Sequence, residues 1–231
     1  MGGKNVKNTI VERVLHIMAP HPCFGCGKIG SVLCHYCKYN IVSEPFVGCF
    51  MCGLAQQDGV CLKHISPISR SFIVGRRTGA LKELIDGLKF RYLKSASYSA
   101  ALLLHESLPQ FPPETVIIPI PTVATHIRQR GYDQVLLISR HFAKLRSLQV
   151  APALQRATKT TQHVLNRESR LKEAALAFIV NDRFTSLFSD KPVLILDDII
   201  TTGATVSEAA KQLSTITSQI WVGALAYQPL D

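Results

Sequence analysis

Apolar positions along the chain recur with two spacings. Leu81, Leu84, Ile85 and Leu88 repeat at helical spacing and predict an amphipathic helix over 79–90. Val135, Leu136, Ile138, Phe142 and Leu145 predict another over 133–147, and 95–108 extends helical character. Val11, Val14, Leu15 and Met18 share one face of a short N-terminal helix within 1–20. Unbroken apolar runs mark the strands. Thr115–Ile120, closed by Pro119 and Pro121, predicts a buried strand and a rigid turn. Val193–Leu196 predicts a strand covered on both faces, as in a parallel sheet. Residues 204–215 read as a helix, 219–226 as a last strand and 66–72 as a linker or short strand. Residues 156–172 are polar and basic with no apolar stripe. Strands alternating with helices imply an α/β fold with right-handed crossovers.

Between residues 23 and 64 this patterning gives way to cysteine spacing. All seven cysteines lie there, as C-x2-C-x7-C-x2-C and then C-x2-C-x8-C-x2-H. The first set is Cys23, Cys26, Cys34 and Cys37; the second is Cys49, Cys52, Cys61 and His64. Two residues between ligands let one tight turn present both side chains to one metal. Two such turns complete a tetrahedron of thiolate and imidazole donors, which suits zinc. Gly27 and Gly53 follow the second cysteine of their pairs, where a knuckle turn calls for positive φ. Four protein ligands leave no open position, so both zinc ions are structural. The alternatives are an iron–sulfur cluster and a disulfide framework, the latter disfavoured by the odd count. Sequential pairing gives two stacked ribbons and interleaved pairing a cross-brace. The short loops favour the sequential arrangement. Gly25–Gly30 also fits G-x-G-x-x-G, but no strand precedes it and cysteine ligands occupy its frame.

The chemistry of the C-terminal half gathers at 193–205, VLILDDIITTGAT. Ligands of open α/β sheets sit beyond the carboxyl ends of the strands, where Asp197 and Asp198 fall. Adjacent carboxylates there can accept hydrogen bonds from two neighbouring hydroxyls, as on a ribose. Thr201, Thr202, Gly203, Ala204 and Thr205 open the next helix. Their hydroxyls, backbone N–H groups and helix dipole form a phosphate cradle, and Gly203 lets the backbone approach closely. No G-x-x-x-x-G-K-[ST] occurs, so a nucleoside-triphosphatase loop is not supported.

The charge balance is +10, with a pI near 9.4, which favours polyanionic or phosphorylated partners. Hydrophobic residues make up 47% of the 231, enough for a substantial core. The uncharged apolar run 98–104 is far short of a membrane span, and charges interrupt any signal-peptide core. The expectation is a cytoplasmic protein without membrane insertion, whose thiols stay reduced.

Residues 193–205 resemble the signature of type I phosphoribosyltransferases, and nearly the whole chain resembles the ComF competence family. Four blocks carry the likeness: the cysteine array 23–64; Leu88-Lys89-Phe90-Arg91; Ile118-Pro119-Ile120-Pro121 followed by Arg128-Gln129-Arg130-Gly131-Tyr132-Asp133-Gln134; and Arg156, Thr160, Gln162, Leu165, Arg170 and Phe178 leading into 193–205. The resemblance implies a helix over 1–20, a double zinc ribbon over 21–66 and a phosphoribosyltransferase-like domain over 67–231. It implies that Thr201, Thr202, Gly203, Ala204 and Thr205 hold the 5′-phosphate of phosphoribosyl pyrophosphate with Mg²⁺, and that Asp197 and Asp198 hold the ribose hydroxyls. The turn from Pro119 through Pro121 to Thr122 faces the pyrophosphate. Arg128 and Arg130 neutralise it, and Arg156 with Lys159 closes over it. Asp133 and Glu173 depart from the family pattern, which has asparagine at both positions. The implied role is phosphoribosyl binding or transfer in DNA uptake, natural transformation or DNA utilisation, with DNA-uptake proteins as partners. A non-catalytic single-stranded DNA-binding factor on the same fold is the alternative.

Overall fold

The computed structural model of the chain describes residues 21–56, 59–61, 63–64, 66–157 and 178–229. The helix expected over 1–20 lies outside them, as do Lys159, Thr160, Gln162, Leu165, Arg170 and Glu173.

The described strands are β1 (Ile68–Arg76), β2 (Val116–Pro119), β3 (Gln149–Val150), β4 (Leu154–Arg156), β5 (Phe178–Val180), β6 (Val193–Ile200) and β7 (Ile220–Tyr227). Five of them form one sheet in the order β1-β7-β6-β2-β3, and every pairing in it is parallel. β4 and β5 make a separate antiparallel pair. The helices are α1 (His35–Val42), α2 (Gly79–Lys89), α3 (Ala96–Ser107), α4 (Ala124–Arg130), α5 (Gln134–Arg146), α6 (Thr185–Phe188) and α7 (Ala204–Leu213).

Alternation along β6 divides the core into two layers. Leu194 and Leu196 join a cluster with Leu84 and Leu88 of α2, Leu103 and Leu104 of α3, and Ile138 and Phe142 of α5. Val193 and Ile195 face the opposite side, with Val206, Ala210 and Leu213 of α7 and Phe178 of β5. A strand buried on both faces reads as continuous apolar sequence, which is why β6 was visible from its first four residues. The strand nevertheless runs to Ile200 rather than ending at Leu196, because β7 stays in register with it as far as Tyr227. The stretch 66–72 is the start of the edge strand β1, held in parallel along β7.

The cysteine-rich segment packs into both layers. Cys23, Val32, Leu33 and Cys37 belong to the first cluster and Phe50 to the second. The sheet, its helices on two faces and its strand order make this the α/β fold of the type I phosphoribosyltransferases, carrying two N-terminal cysteine clusters.

Candidate functional site

The strand order places a crevice between β2 and β6. From β2 the chain moves outward to β3, and then returns across β2 to form β6. That reversal is the topological switch point at which α/β sheets bind ligands. β2 pairs with β6 only as far as Pro119↔Leu196, whereas β6 continues along β7. The divergence opens β6 from Asp197 onward on the side β2 has left. A cavity of about 360 Å³ lies there.

Asp197, Asp198, Thr205, Pro121, Arg130 and Arg156 line this cavity together. They come from β6, the start of α7, the turn after β2, the end of α4, and β4. Thr122 lines it too, and the other expected residues of this half that the structure describes lie outside its lining. Pro119 is buried as the last residue of β2. Arg128 is exposed on α4. Thr201 is half-buried, Thr202 and Ala204 are exposed, and Gly203 is buried in the turn leading to α7.

Period-two alternation gives the two acids different surroundings. Asp198 follows Leu194 and Leu196 towards the α2 and α5 side and is 6% exposed. There Lys89 Nζ donates to its Oδ1 at 3.0 Å, and the Gln134 side-chain amide donates to its Oδ2. Arg130 braces both donors, with Nε on the Lys89 carbonyl at 2.8 Å and its guanidinium on the Gln134 amide oxygen. Asp197 turns the other way and accepts the Asp198 backbone N–H at 2.8 Å. Burial, and then the negative charge of Asp198, pushes the Asp197 carboxyl up to about 8.

The turn after β2 is tied down by Asp133. Its carboxylate accepts from Thr122 N at 3.1 Å and Thr122 Oγ1 at 2.9 Å, and it caps α5 by accepting from Leu136 N at 3.0 Å. Arg156 Nε reaches the Pro121 carbonyl at 2.9 Å, and its guanidinium lies 5.2 Å from the centre of the Phe178 ring. The α7 end of the cavity rests on Gly203, at φ +71°. Thr202 Oγ1 accepts from Ala204 N at 3.3 Å. A helix of this length opening at such a glycine presents its first-turn N–H groups and a positive dipole end to an anion.

The cysteine ligands assemble sequentially. Cys23, Cys26, Cys34 and Cys37 form one cluster, and Cys49, Cys52, Cys61 and His64 the other, with all donor atoms of each within 4.8 Å of one another. A tetrahedron with metal–sulfur bonds of about 2.3 Å has edges of about 3.8 Å. Cys26 and Cys34 sulfurs are 3.6 Å apart and Cys52 and Cys61 sulfurs 3.8 Å. His64 Nδ1 faces its cluster, 3.5 Å from Cys49 Sγ and 3.0 Å from Cys61 Sγ. Both groups can therefore hold zinc. Gly27 and Gly53 take φ +75° and +73°, as the knuckle turns require. The second ligand pair of the first cluster rides on a helix, with Cys34 as N-cap and Cys37 in the first turn of α1. Burial alone would raise the Cys23 thiol, but the backbone N–H groups of Cys34, Cys26 and Gly25 outweigh it and bring it down to about 6. Burial and the neighbouring sulfurs push Cys37 up to about 12. A bound dication supplies the positive charge that would let both sulfurs ionise.

No protein-family model matches the chain. Over 214 residues it is 30% identical to Competence protein F of Haemophilus influenzae, covering 82% of this chain and 88% of that protein. The chain belongs to the ComF family. It is also 31% identical over 207 residues to DNA utilization protein YhgH of Escherichia coli strain K12, and 30% identical over 205 residues to the YhgH protein of Salmonella typhi. Each comparison covers 82% of this ComF-family chain and 88% of the relative.

Sequence reasoning left three cavity features of this ComF-family protein without a role: His126, the Gln134 amide and the ring of Phe90. Phe90 had one usable signal, an aromatic ring between two cations just past an amphipathic helix. Gln134 stood in a block of the family resemblance but without a role, because its contact with Asp198 depends on how α5 packs; His126 had no signal.

Proposed function

We propose that the cavity binds phosphoribosyl pyrophosphate and that the protein acts in DNA uptake or DNA utilisation in the cytoplasm. The observation that carries the first part is the convergence of Asp197, Asp198 and Thr205 with Lys89, Arg130 and Arg156 around one cavity at the switch point. In this reading the 201–205 turn takes the 5′-phosphate on its amides and hydroxyls. Asp197 and the free lone pairs of Asp198 accept the ribose hydroxyls. Lys89 and Gln134 keep Asp198 fixed for that contact. The Pro121–Thr122 turn faces the pyrophosphate, with Arg130 and Arg156 beside it as planar donors suited to phosphate oxygens. Mg²⁺, when bound, would neutralise the pyrophosphate oxygens and favour their departure from the anomeric carbon. The residues fit such an ion through Asp197, whose carboxyl faces the cavity without a cationic partner within hydrogen-bonding reach among the described residues and whose ionised form a dication would favour. The biological part rests on the names of the relatives, Competence protein F and DNA utilization protein. The grouping of the cysteines as metal ligands suits a reducing compartment.

Calorimetry with phosphoribosyl pyrophosphate and Mg²⁺ tests the reading. Binding that Asp197→Ala abolishes supports it, and absence of heat with the wild type overturns it.

A second reading, single-stranded DNA binding, is favoured by a different observation. Phe90, Tyr92 and Tyr98 are 64%, 54% and 49% exposed, beside Lys89, Arg91 and Lys94. Exposed aromatic rings among cations offer stacking platforms for bases, and Arg128 would add to that surface. Affinity for an oligonucleotide should fall steeply with salt and weaken in Phe90→Ala. A flat salt dependence would rule the reading out.

A further inference from the structure

The two metal clusters share a device that the cysteine spacing alone does not explain. In each, a phenylalanine follows the first cysteine of the leading pair: Cys23-Phe24-Gly25-Cys26 and Cys49-Phe50-Met51-Cys52. Each ring lies against a glycine that stands two residues before a cavity-lining side chain, Gly203 before Thr205 and Gly87 before Lys89. A Cβ on Gly203, in the 201–205 turn, would sit 2.7 Å from Phe50 Cδ2 and 3.2 Å from Met51 Cγ. A Cβ on Gly87, in α2, would sit 2.8 Å from Phe24 Cζ. Gly87 precedes Lys89, the partner of Asp198, by two residues. Each ring thus occupies the space a side chain would need, and the opposing backbone can move no closer.

The knuckle backbone that carries each ring is set by the metal ligands on either side of it. Around Phe50 the support continues into the sheet. Phe50 N donates to the Gly59 carbonyl at 2.9 Å, and Ser71 Oγ of β1 donates to the same carbonyl at 3.0 Å. Phe46 stacks on Tyr227 at the end of β7, with ring centres 4.3 Å apart. Around Phe24, the Arg91 guanidinium lies 4.9 Å from the ring centre.

We infer that the two metal clusters fix opposite walls of the cavity. Phe50 positions the phosphate turn for the second cluster, and Phe24 positions the α2 end, with Lys89, for the first. The functional meaning rests on the reading of the cavity as a sugar-phosphate site; the mechanical coupling does not. Simple core packing would make any loss of zinc loosen the whole fold alike. The coupling instead makes the two losses spatially separate.

The experiment uses the full chain with zinc bound, and compares Cys26→Ala with Cys52→Ala, which remove the exposed ligand of each cluster. Zinc content is measured, and backbone hydrogen exchange is followed at 201–205 and at 87–91. Cys52→Ala should speed exchange at 201–205 about tenfold or more and leave 87–91 unchanged, and Cys26→Ala should do the converse. Phe50→Leu and Phe24→Leu, which keep every ligand, should give the same reciprocal pattern with zinc retained, so the inference stays testable if a cysteine variant does not fold. Phe50→Leu should also weaken phosphoribosyl pyrophosphate binding about tenfold. Exchange that rises uniformly, or not at all, in the leucine variants overturns the inference. A wild type that binds no phosphoribosyl pyrophosphate, yet shows the reciprocal pattern, overturns the proposed ligand and leaves the coupling standing.

Discussion

Lys89 Nζ lies 3.0 Å from Asp198 Oδ1, and this ion pair joins the end of α2 to the carboxyl half of β6 at the floor of the cavity. The lysine side chain is 19% exposed and the aspartate side chain 8%. A carboxylate this buried depends on its partner. Truncating one member of a buried pair strands the other charge, at a cost of about 3–5 kcal/mol when both are fully enclosed. The partial exposure of Lys89 and the surviving Gln134 contact reduce that. Lys89→Ala should therefore cost about 2 kcal/mol by urea unfolding, discounted from the fully buried case. Adding Asp198→Asn should restore part of the loss, because the stranded charge is gone. A double variant as unstable as the sum of the singles would show that the pair carries no coupling.

Asp133 stands where the family pattern has asparagine, and its three accepted hydrogen bonds give that departure a structural role. Oδ2 meets the Thr122 N–H, and Oδ1 serves both the Thr122 hydroxyl and Leu136 N. An asparagine would keep the helix cap on its oxygen but present an N–H₂ to the Thr122 N–H. Asp133→Asn should cost about 1 kcal/mol, the scale of one buried unsatisfied donor, and loosen the Pro121–Thr122 turn. Thermal unfolding together with exchange at Thr122 checks it. An unchanged Thr122 amide would show that the turn does not rely on the carboxylate.

Removing both metals together should destabilise both layers of the core, because Cys23 and Cys37 lie within one core cluster and Phe50 within the other. Purified protein should contain close to two zinc ions per chain. A strong chelator should lower the melting temperature by well over 10 °C, since structural zinc contributes folding free energy directly. One ion per chain would remove either cluster from the set of metal sites.

Asp197 gives stability an unusual pH dependence. Its carboxyl is pushed up to about 8 by burial and by Asp198. In an unfolded chain it loses its proton near pH 4. Between those values the folded state holds a proton that the unfolded state has released, so stability falls as pH rises through about 4 to 8. Asp197→Asn removes this titration. Its melting temperature should decline less than that of the wild type from pH 5 to pH 8, and the variant should be the more stable at pH 8. Parallel curves would show that Asp197 titrates normally in the fold.

Much of the site was legible because its parts are local. The cysteine pairs, the Asp-Asp dipeptide and the glycine-centred turn are each contained within a few consecutive residues, and their spacing reports their geometry. Arg128 and Arg130 show where that ends. They stand two apart on one short helix, so they point to different sides, and of the two arginines it is Arg130 that lines the cavity. The short α1 was not anticipated, because cysteine ligands interrupt the apolar pattern that would have marked it. The carboxyl end of β6 was misjudged for a related reason. Two aspartates look like a strand terminus, but a parallel neighbour holds the backbone in register beyond them.

The sequence by itself determined the helices and strands with a clear apolar period, the two sets of four ligands and the glycine-centred turn before α7, since each is written in residues that meet within one turn or one small loop. The tertiary structure alone decided that Lys89, Gln134 and Arg130 converge on Asp198, that Asp197 and Asp198 occupy different environments, and that Phe24 and Phe50 press on Gly87 and Gly203. Those contacts join segments far apart in the chain, and their geometry follows from how the sheet twists and how the helices and knuckles pack upon it, which no local spacing encodes.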